Sequence, residues 1–315
     1  MGRRKRKSRT GGVLIWKPVG ITSRSALDRA ERTIAAGPLG HTGTLDPLAE
    51  GLLLALGGEA RKFQALLTDH TKSYRATVTF GIVSASDDAE GPLSCPLPRP
   101  GLPNRAAIES ALETFRGGYA QIPPGHSAIH IDGERAWKRV RRGETIEMPP
   151  RDVSITHLEI IECRASEDEN GEAITAVDLA IDCGAGTYIR SLARDLGDAL
   201  GCGAFLSALA RTRLGGLSAE GAIPLADVSP ETWHSLEDLV AGLPRLEVDR
   251  AQEARLALGQ RVPHRIAREE HPGREPRVIW CEGEVVGLGE MRGGVIQPKR
   301  WLPTDRTSRA PNANE

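Results

Sequence analysis

The segment GHTGTLDPLAEGLLLALGG, residues 40 to 58, constrains this chain more than any other. Leu52, Leu53, Leu54, Ala55 and Leu56 form a short apolar run that has to be buried. Just ahead of it stands Asp46, followed by Pro47, which pushes the aspartate out of the helical region toward extended backbone. Gly40 and Gly43 let the chain turn sharply or approach a ligand closely. Asp46 is therefore expected at the rim of the core, on a stiff loop, with His41 five residues before it. An isolated Asp-Pro step is usually a turn closer, so the rest of the chain has to decide between a turn residue and a catalytic carboxylate.

Other elements can be placed by pattern. GVLIW at 12 to 16 reads as a short buried strand, and SRSALDRAERTI as an amphipathic helix capped by Thr22 or Ser23. KSYRATVTFGI at 72 to 82 alternates as a strand does. A loop rich in Pro, Ser and Asp follows, and then a helix with Ala107, Ile108, Ala111, Leu112 and Phe115 on one face. DVSITHLEIIECRA and ITAVDLAIDCG read as strands, and GTYIRSLARDLGDALG as a helix with Thr187 as its N-cap. From about residue 245 short strands alternate with glycine-rich turns, enough for a small β-barrel.

The 315 residues suggest more than one domain. We expect a basic disordered arm at 1–10, a catalytic domain at 11–245, a small C-terminal domain at 246–303 and a disordered tail at 304–315. Composition excludes some classes. The longest apolar run falls well short of the roughly 18 residues of a membrane span, and the N-terminus lacks a signal peptide's apolar stretch. The five cysteines are scattered, with no C-x-x-C pair, which argues against a zinc site or a disulfide framework and fits a reducing, cytoplasmic setting.

Charge is distributed unevenly. The first nine residues carry six basic groups and no acid; removing those six from the net −1 leaves −7 for the remainder. Such an arm is a solvated segment that can touch phosphates. A second basic cluster surrounds Trp137: Arg135, Lys138, Arg139, Arg141 and Arg142. Cations beside an aromatic ring suit a nucleic-acid backbone with a base nearby. This cluster lies in residues 121–151, bracketed by two Pro-Pro pairs, which we expect to form a mobile insert near the ligand.

Five blocks then align, in order and spacing, with one family: GVLIWKPVGITS, GHTGTLDPLAEGLL, KSYRATVTFG…SDDAEG, QIPPGHSAIHIDGERAW and CGAGTYIRSLARDLGDALGCGAFLSALARTRLG. The chain resembles the bacterial tRNA pseudouridine-55 synthases, the TruB type, from about residue 11 to 217 and more weakly through the C-terminus. The resemblance implies an α+β pseudouridine synthase fold, with a mixed, mostly antiparallel sheet flanked by helices and a small C-terminal PUA-like β-barrel. It implies an isomerase that converts uridine 55 in the T loop of tRNA to pseudouridine. It also assigns roles: Asp46 is the catalytic carboxylate, acting as the nucleophile or else assisting removal of a sugar proton, His41 fills the stack left by the extruded base, and Tyr74 stacks on the uracil. Arg190 pairs with the carboxylate, Tyr188 and Leu209 line the uracil pocket, and Lys17 with Pro18 supports the Asp46 loop. Base extrusion costs a few kcal/mol that such aromatic contacts offset in part.

The reaction moves no hydride and no phosphoryl group, so no cofactor or metal is expected, and the sequence has no Walker motif or His/Cys ligand cluster. The expected partner is tRNA, through its T arm and elbow, with no membrane and no obligate protein partner, and the expected state is a monomer. A tRNA-folding role is compatible with catalysis. Two other readings are a guide-RNA-dependent relative working with further subunits and a non-catalytic RNA-binding protein on the same fold. Departures from the family pattern are Trp16, His126, His130, Trp137, Ala185 and Ala210; none falls on Asp46, Tyr74 or Arg190.

Overall fold

The computed structural model describes residues 9–95, 101–127, 129–131, 133–167, 173–264 and 276–303, with backbone alone at 165–167 and 173–175. Most of the expected basic arm, the expected tail and residues 96–100 of the expected Pro/Ser/Asp loop lie outside these residues.

The main sheet has ten strands, of which seven are long: β1 (Gly11–Lys17), β2 (Glu50–Gly57), β3 (Lys72–Phe80), β4 (Gly117–Gln121), β5 (Arg151–Glu167), β6 (Ala173–Cys183) and β7 (Ala204–Leu214). Their order is β1-β2-β7-β3-β6-β5-β4, with Ile223–Pro224 beyond β1. The pairings of β1 with Ile223–Pro224 and of β2 with β7 are parallel, and the other pairings are antiparallel. This is the mixed, mostly antiparallel sheet that the resemblance implies.

The apolar run of residues 52 to 56 is explained by its place in this sheet. β2 lies between β1 and β7 and is covered on both faces, so it needs no polar alternation. Leu53 and Ala55 join one core, with Val13 and Ile15 of β1. That core is roofed by three helices: α1 (Ser23–Ile34), α2 (Arg105–Leu112) and α3 (Ile189–Ala199). They contribute Ala26 and Leu27, Ile108 and Leu112, and Leu192 and Leu196 respectively. Leu52, Leu54 and Leu56 face the opposite way, toward Val278, Trp280, Val285 and Leu288 of the C-terminal region.

That region is a five-stranded sheet: Arg245–Glu247, then β8 (Arg277–Cys281), β9 (Glu284–Arg292) and β10 (Val295–Trp301), closed off by Val262–Pro263. Among the described residues it is a curled half-barrel with Arg245–Glu247 and Val262–Pro263 as its edge strands, consistent with the PUA-like domain expected. Its period-two pattern serves two cores. Val278 and Trp280 pack on the main sheet, while Ile279 and Cys281 pack with Leu246, Leu256 and Ile296 inside the half-barrel.

Helix starts follow the local chemistry. Thr22 is the N-cap of α1, and its hydroxyl accepts from the Ser25 amide at 3.0 Å. The expected Thr187 cap of α3 is corrected: the cap position is Tyr188, and the Thr187 hydroxyl instead donates to the Gly184 carbonyl at 3.0 Å. The Tyr188 amide is satisfied from another strand, by the Gln121 side-chain oxygen at 2.8 Å. Sequence proximity favoured Thr187, but β4 delivers a better-placed acceptor.

One glycine is fixed by packing. Gly51 sits at φ +104°, opposite Arg211 in the parallel β2–β7 pair, and a Cβ there would lie 2.3 Å from the Arg211 carbonyl oxygen. Gly51→Ala is expected to cost at least about 2 kcal/mol, from left-handed strain and overpacking together. Urea unfolding measures this directly; an unchanged midpoint would contradict the close approach.

Candidate active site

Asp46 lies on the loop that enters β2, and three separate contacts hold that loop. The buried Ser23 hydroxyl, at the start of α1, accepts from the Leu45 amide at 2.8 Å and donates to the Leu45 carbonyl at 2.9 Å. The Ala49 amide donates to the Asp46 carbonyl at 3.0 Å, and the Gly20 amide donates to the Pro47 carbonyl at 2.8 Å. Lys17 orders the segment that carries Gly20. It is fully buried, and its ammonium donates to the carbonyls of Pro18 at 2.8 Å and Ile21 at 2.7 Å. Burial pushes Lys17 down to about 8, against the pull of Asp46, Glu90 and Glu50.

The Asp46 carboxylate is half-exposed and meets Arg190 Nε at 3.1 Å through Oδ2. Arg190 comes from the first turn of α3, and its side chain is nearly all buried. Its other donors are occupied: Nη1 reaches Asp88 Oδ2 at 3.1 Å and the Ser86 carbonyl at 3.3 Å, and Nη2 reaches the His126 carbonyl at 3.0 Å. One guanidinium therefore bridges an open carboxylate and a closed one, since Asp88 is 1 % exposed. Ser86 Oγ at 2.6 Å and the Glu90 amide at 3.0 Å complete the shell of Asp88 Oδ1. One helical turn later Arg194 holds Asp87 at 2.8 Å. Burial raises the Asp46 pKa; Arg190 lowers it, Asp88 raises it and Lys17 lowers it.

Asp46 opens onto a cavity of about 360 Å³, within the usual range for ligand sites. Tyr74, Tyr188, Arg190 and Leu209 all line it, although they come from three separate stretches of sequence. Tyr74 and Leu209 are each 9 % exposed and stand on the adjacent strands β3 and β7. The cavity also takes Lys72, Arg211, His126 and Ser127 into its walls. His41, Lys17 and Pro18 are not wall residues. His41 stands at the edge pairing with β2, its Nδ1 is buried without a partner, and burial lowers its pKa, with Arg211 and Arg24 acting the same way.

The segment 121–151 carries regular structure: a hairpin of His130–Ile131 with Glu134–Arg135, then a helix, Ala136–Arg141. It has a small core of Ile129, Ala136 and Met148, against which Tyr188 packs. Its basic cluster is partly neutralised. Arg142 pairs with Glu134 and Glu144 at 2.7 Å, and Arg139 pairs with Glu144 at 2.7 Å. Arg135 and Arg141 are exposed with no acidic partner among the described residues, and the Lys138 ammonium lies 5.9 Å from the Trp137 ring.

Pattern reading of the sequence missed Asp88, Gln121, Lys72 and Arg211. The doublet Asp87-Asp88 was the available signal, but in a Ser/Asp-rich stretch it reads as a solvated loop. Gln121 is 1 % exposed and brackets Tyr188, accepting from its amide and donating to its carbonyl at 3.0 Å. For Lys72 and Arg211 the available signal was their position two residues from Tyr74 and Leu209, which puts each pair on one sheet face.

Three family models match the chain in succession: the TruB family pseudouridylate synthase N-terminal domain over residues 32–189, the tRNA pseudouridylate synthase B C-terminal domain over 190–246, and the pseudouridine synthase II TruB C-terminal domain over 244–302. The chain is 37% identical over 308 residues to a tRNA pseudouridine synthase B of Burkholderia lata, covering 93% of this chain and 90% of that protein. It is 38% identical over 301 residues to a tRNA pseudouridine synthase B of an Azoarcus species, covering 93% and 95%. Among solved structures, a chain of a Cbf5-Nop10-Gar1 complex superposes with a TM-score of 0.71 at 22% identity, covering 94% of this chain and 86% of that one, a likeness of fold. Matched along nearly its whole described length, with the sheet, the half-barrel and the carboxylate cavity in place, the chain belongs to the TruB family of pseudouridylate synthases.

Proposed function

We propose that this protein isomerises uridine 55 in the T loop of tRNA to pseudouridine, with Asp46 as the nucleophile. The observation that carries the reading is Asp46, fixed by Arg190 at 3.1 Å and opening onto a cavity walled by Tyr74, Tyr188 and Leu209. Its relatives named tRNA pseudouridine synthase B supply the substrate class. A cavity that sets an arginine-held carboxylate beside Tyr74, Tyr188 and Leu209 suits a base taken out of its stack.

In this reading Asp46 Oδ bonds to C1′ as the N1–C1′ bond breaks and its electron pair goes to the base. The base turns in the cavity. C5 then bonds to C1′, Asp46 leaves as the carboxylate, the C5 proton passes to solvent, and N1 takes up a proton from solvent. The product is an isomer of the substrate, so atoms and electrons balance with no oxidant or co-reactant. Arg190 keeps the carboxylate ionised and aimed. Tyr74 stacks on the uracil, Tyr188 and Leu209 confine it, and His41 fills the vacated stack in the RNA. Lys17 and Pro18 hold the loop through Gly20 and Pro47. The insert at 121–151 and the PUA-like half-barrel contact the T arm and the acceptor side. The enzyme acts alone, as a monomer in the cytoplasm.

The test is tritium release from an unmodified tRNA transcript labelled at C5 of its uridines, with purified protein and no guide RNA. Release from a single T-loop position is expected. Binding without release, or release only with added subunits, would overturn the reading.

A pH dependence follows. The nucleophile is the ionised carboxylate, so the single-turnover rate should fall on acidification. Because burial raises Asp46, the midpoint should lie above the roughly 3.9 of an ordinary aspartate. Replacing Arg190 removes a contribution that lowers this pKa, so the acid limb of Arg190→Lys should sit no lower than wild type and that of Arg190→Met higher. A limb that moved down in Arg190→Met would exclude Asp46 as its source.

A further inference from the structure

We propose that Lys72 and Arg211 form a cationic pair that takes up the negative charge developing on the uracil as it leaves C1′. The inference rests on the synthase reading above and extends it to the leaving group.

The placement comes from the sheet. Lys72 and Tyr74 are two residues apart on β3, and Leu209 and Arg211 are two residues apart on the neighbouring β7, with Arg211 directly opposite Tyr74. All four line the same cavity. They make a two-by-two patch: an aromatic ring and an aliphatic group that would hold a base by its faces, with a cation beside each. The two cations converge around Gly43, three residues before Asp46. A Cβ on Gly43 would lie 3.3 Å from Arg211 Nη1 and 3.6 Å from Lys72 Cε. The left-handed backbone of Gly43, at φ +95°, brings the Asp46 loop over them.

Both cations are buried, Lys72 at 8 % exposure and Arg211 at 1 %. Among the described residues neither has a carboxylate within ion-pair distance; apart from the Tyr74 hydroxyl for Arg211, their partners are carbonyls. Lys72 Nζ donates to those of Thr68 at 2.7 Å and His70 at 2.8 Å. Arg211 donates to those of Leu52 at 2.8 Å and Gly43 at 3.2 Å. These bonds fix the side chains without cancelling their charge. Two like charges kept together in a low-dielectric wall oppose folding unless an anion arrives to share them. Burial and the neighbouring Arg211 push the Lys72 ammonium down from its ordinary range, with Cys183 and Asp69, the latter in the same cavity wall, pulling the other way.

The anion is supplied by the reaction. When N1–C1′ breaks, the electron pair stays with the ring, and its charge spreads over N1 and the two carbonyl oxygens. Preorganised donors aimed at developing charge typically contribute about 10² to 10³ in rate. Asp46 attacks the sugar from one side of the cavity, and this pair receives the base.

The experiment compares wild type, Lys72→Met and Lys72→Arg in single turnover, on transcripts carrying uridine or 5-fluorouridine at the reacting position. Loss of the original nucleoside, read by chromatographic separation of the nucleosides after digestion of a transcript labelled at the reacting position, reports N1–C1′ cleavage, and tRNA affinity is measured in parallel. The fluorinated ring is the more acidic leaving group and needs less help. Lys72→Met is expected to slow the uridine substrate about 100-fold with tRNA affinity within about threefold. Its deficit should shrink at least tenfold on the fluorinated substrate, and Lys72→Arg should recover most of the rate. An equal deficit on both substrates would show a merely structural lysine and overturn the proposal, as would a loss confined to affinity, which marks a phosphate anchor. Wild type that leaves both transcripts unchanged overturns the synthase reading itself.

Discussion

Asp46→Asn is expected to abolish turnover, lowering kcat at least about 10⁴-fold, while tRNA affinity stays within about threefold. The amide keeps the size and one oxygen of the carboxylate but cannot displace the base from C1′. The fold should tolerate the change. The loop is held by Ser23, Ala49, Gly20 and Lys17 through backbone atoms, none of which the substitution removes. Arg190 keeps Asp88, the Ser86 carbonyl and the His126 carbonyl. The pH sign agrees. Burial raises the Asp46 pKa, so the folded state favours the protonated acid, and that contribution is lost as pH rises through the folded value. At neutral pH the ionised Asp46 therefore does not support stability through its pKa, and Asp46→Asn should melt no lower than wild type. Single-turnover tritium release beside filter binding and thermal melting measures all three. A mutant that retains more than about a hundredth of the rate would remove Asp46 from the chemistry.

The second large effect concerns Arg190. Arg190→Met leaves Asp88, 1 % exposed, with no cation against it. Breaking a buried pair from one side typically costs about 3–5 kcal/mol, because the remaining charge is desolvated and uncompensated. Arg190→Met should therefore unfold at a markedly lower urea concentration. The double variant Arg190→Met with Asp88→Asn should recover at least half of that loss, since the amide keeps partners in Ser86 and has no charge to strand. Activity should not return in the double variant, because Asp46 has still lost the guanidinium that aims it. Stability rescued without activity separates the two duties of one side chain. Equal unfolding midpoints for wild type and Arg190→Met would show that Asp88 does not depend on the arginine.

The legible part of this protein was what local chemistry and ordered motifs encode. The Asp46 loop, the alternation of β3 and the amphipathic α1 are each set by residues close in sequence, and each stands where the pattern places it. The mixed sheet and its family came from five blocks in register. Distances across the sheet decided the rest. Tyr188 looked as if it followed a Thr187 cap, yet Gln121, sixty-seven residues away, supplies the acceptor. Asp88 looked like a solvated loop residue until the loop was pinned to β7, its neighbours Asp87 and Ala89 exchanging backbone hydrogen bonds with Leu206. That pinning is what delivers the carboxylate to Arg190.

Sequence alone fixes that Asp46 stands on extended backbone ahead of a run that must be buried, because both follow from short-range sterics and hydrophobicity, while its place as the nucleophile candidate comes from the resemblance of the ordered motifs. Only the tertiary structure decides the charge environment of that carboxylate. A guanidinium 144 residues downstream reaches Asp46 because α3 and the β2 loop meet over one cavity. Two lysine and arginine side chains become a buried pair only because β3 and β7 are neighbours. Electrostatic work depends on distance and desolvation, and no pattern along the chain carries either quantity.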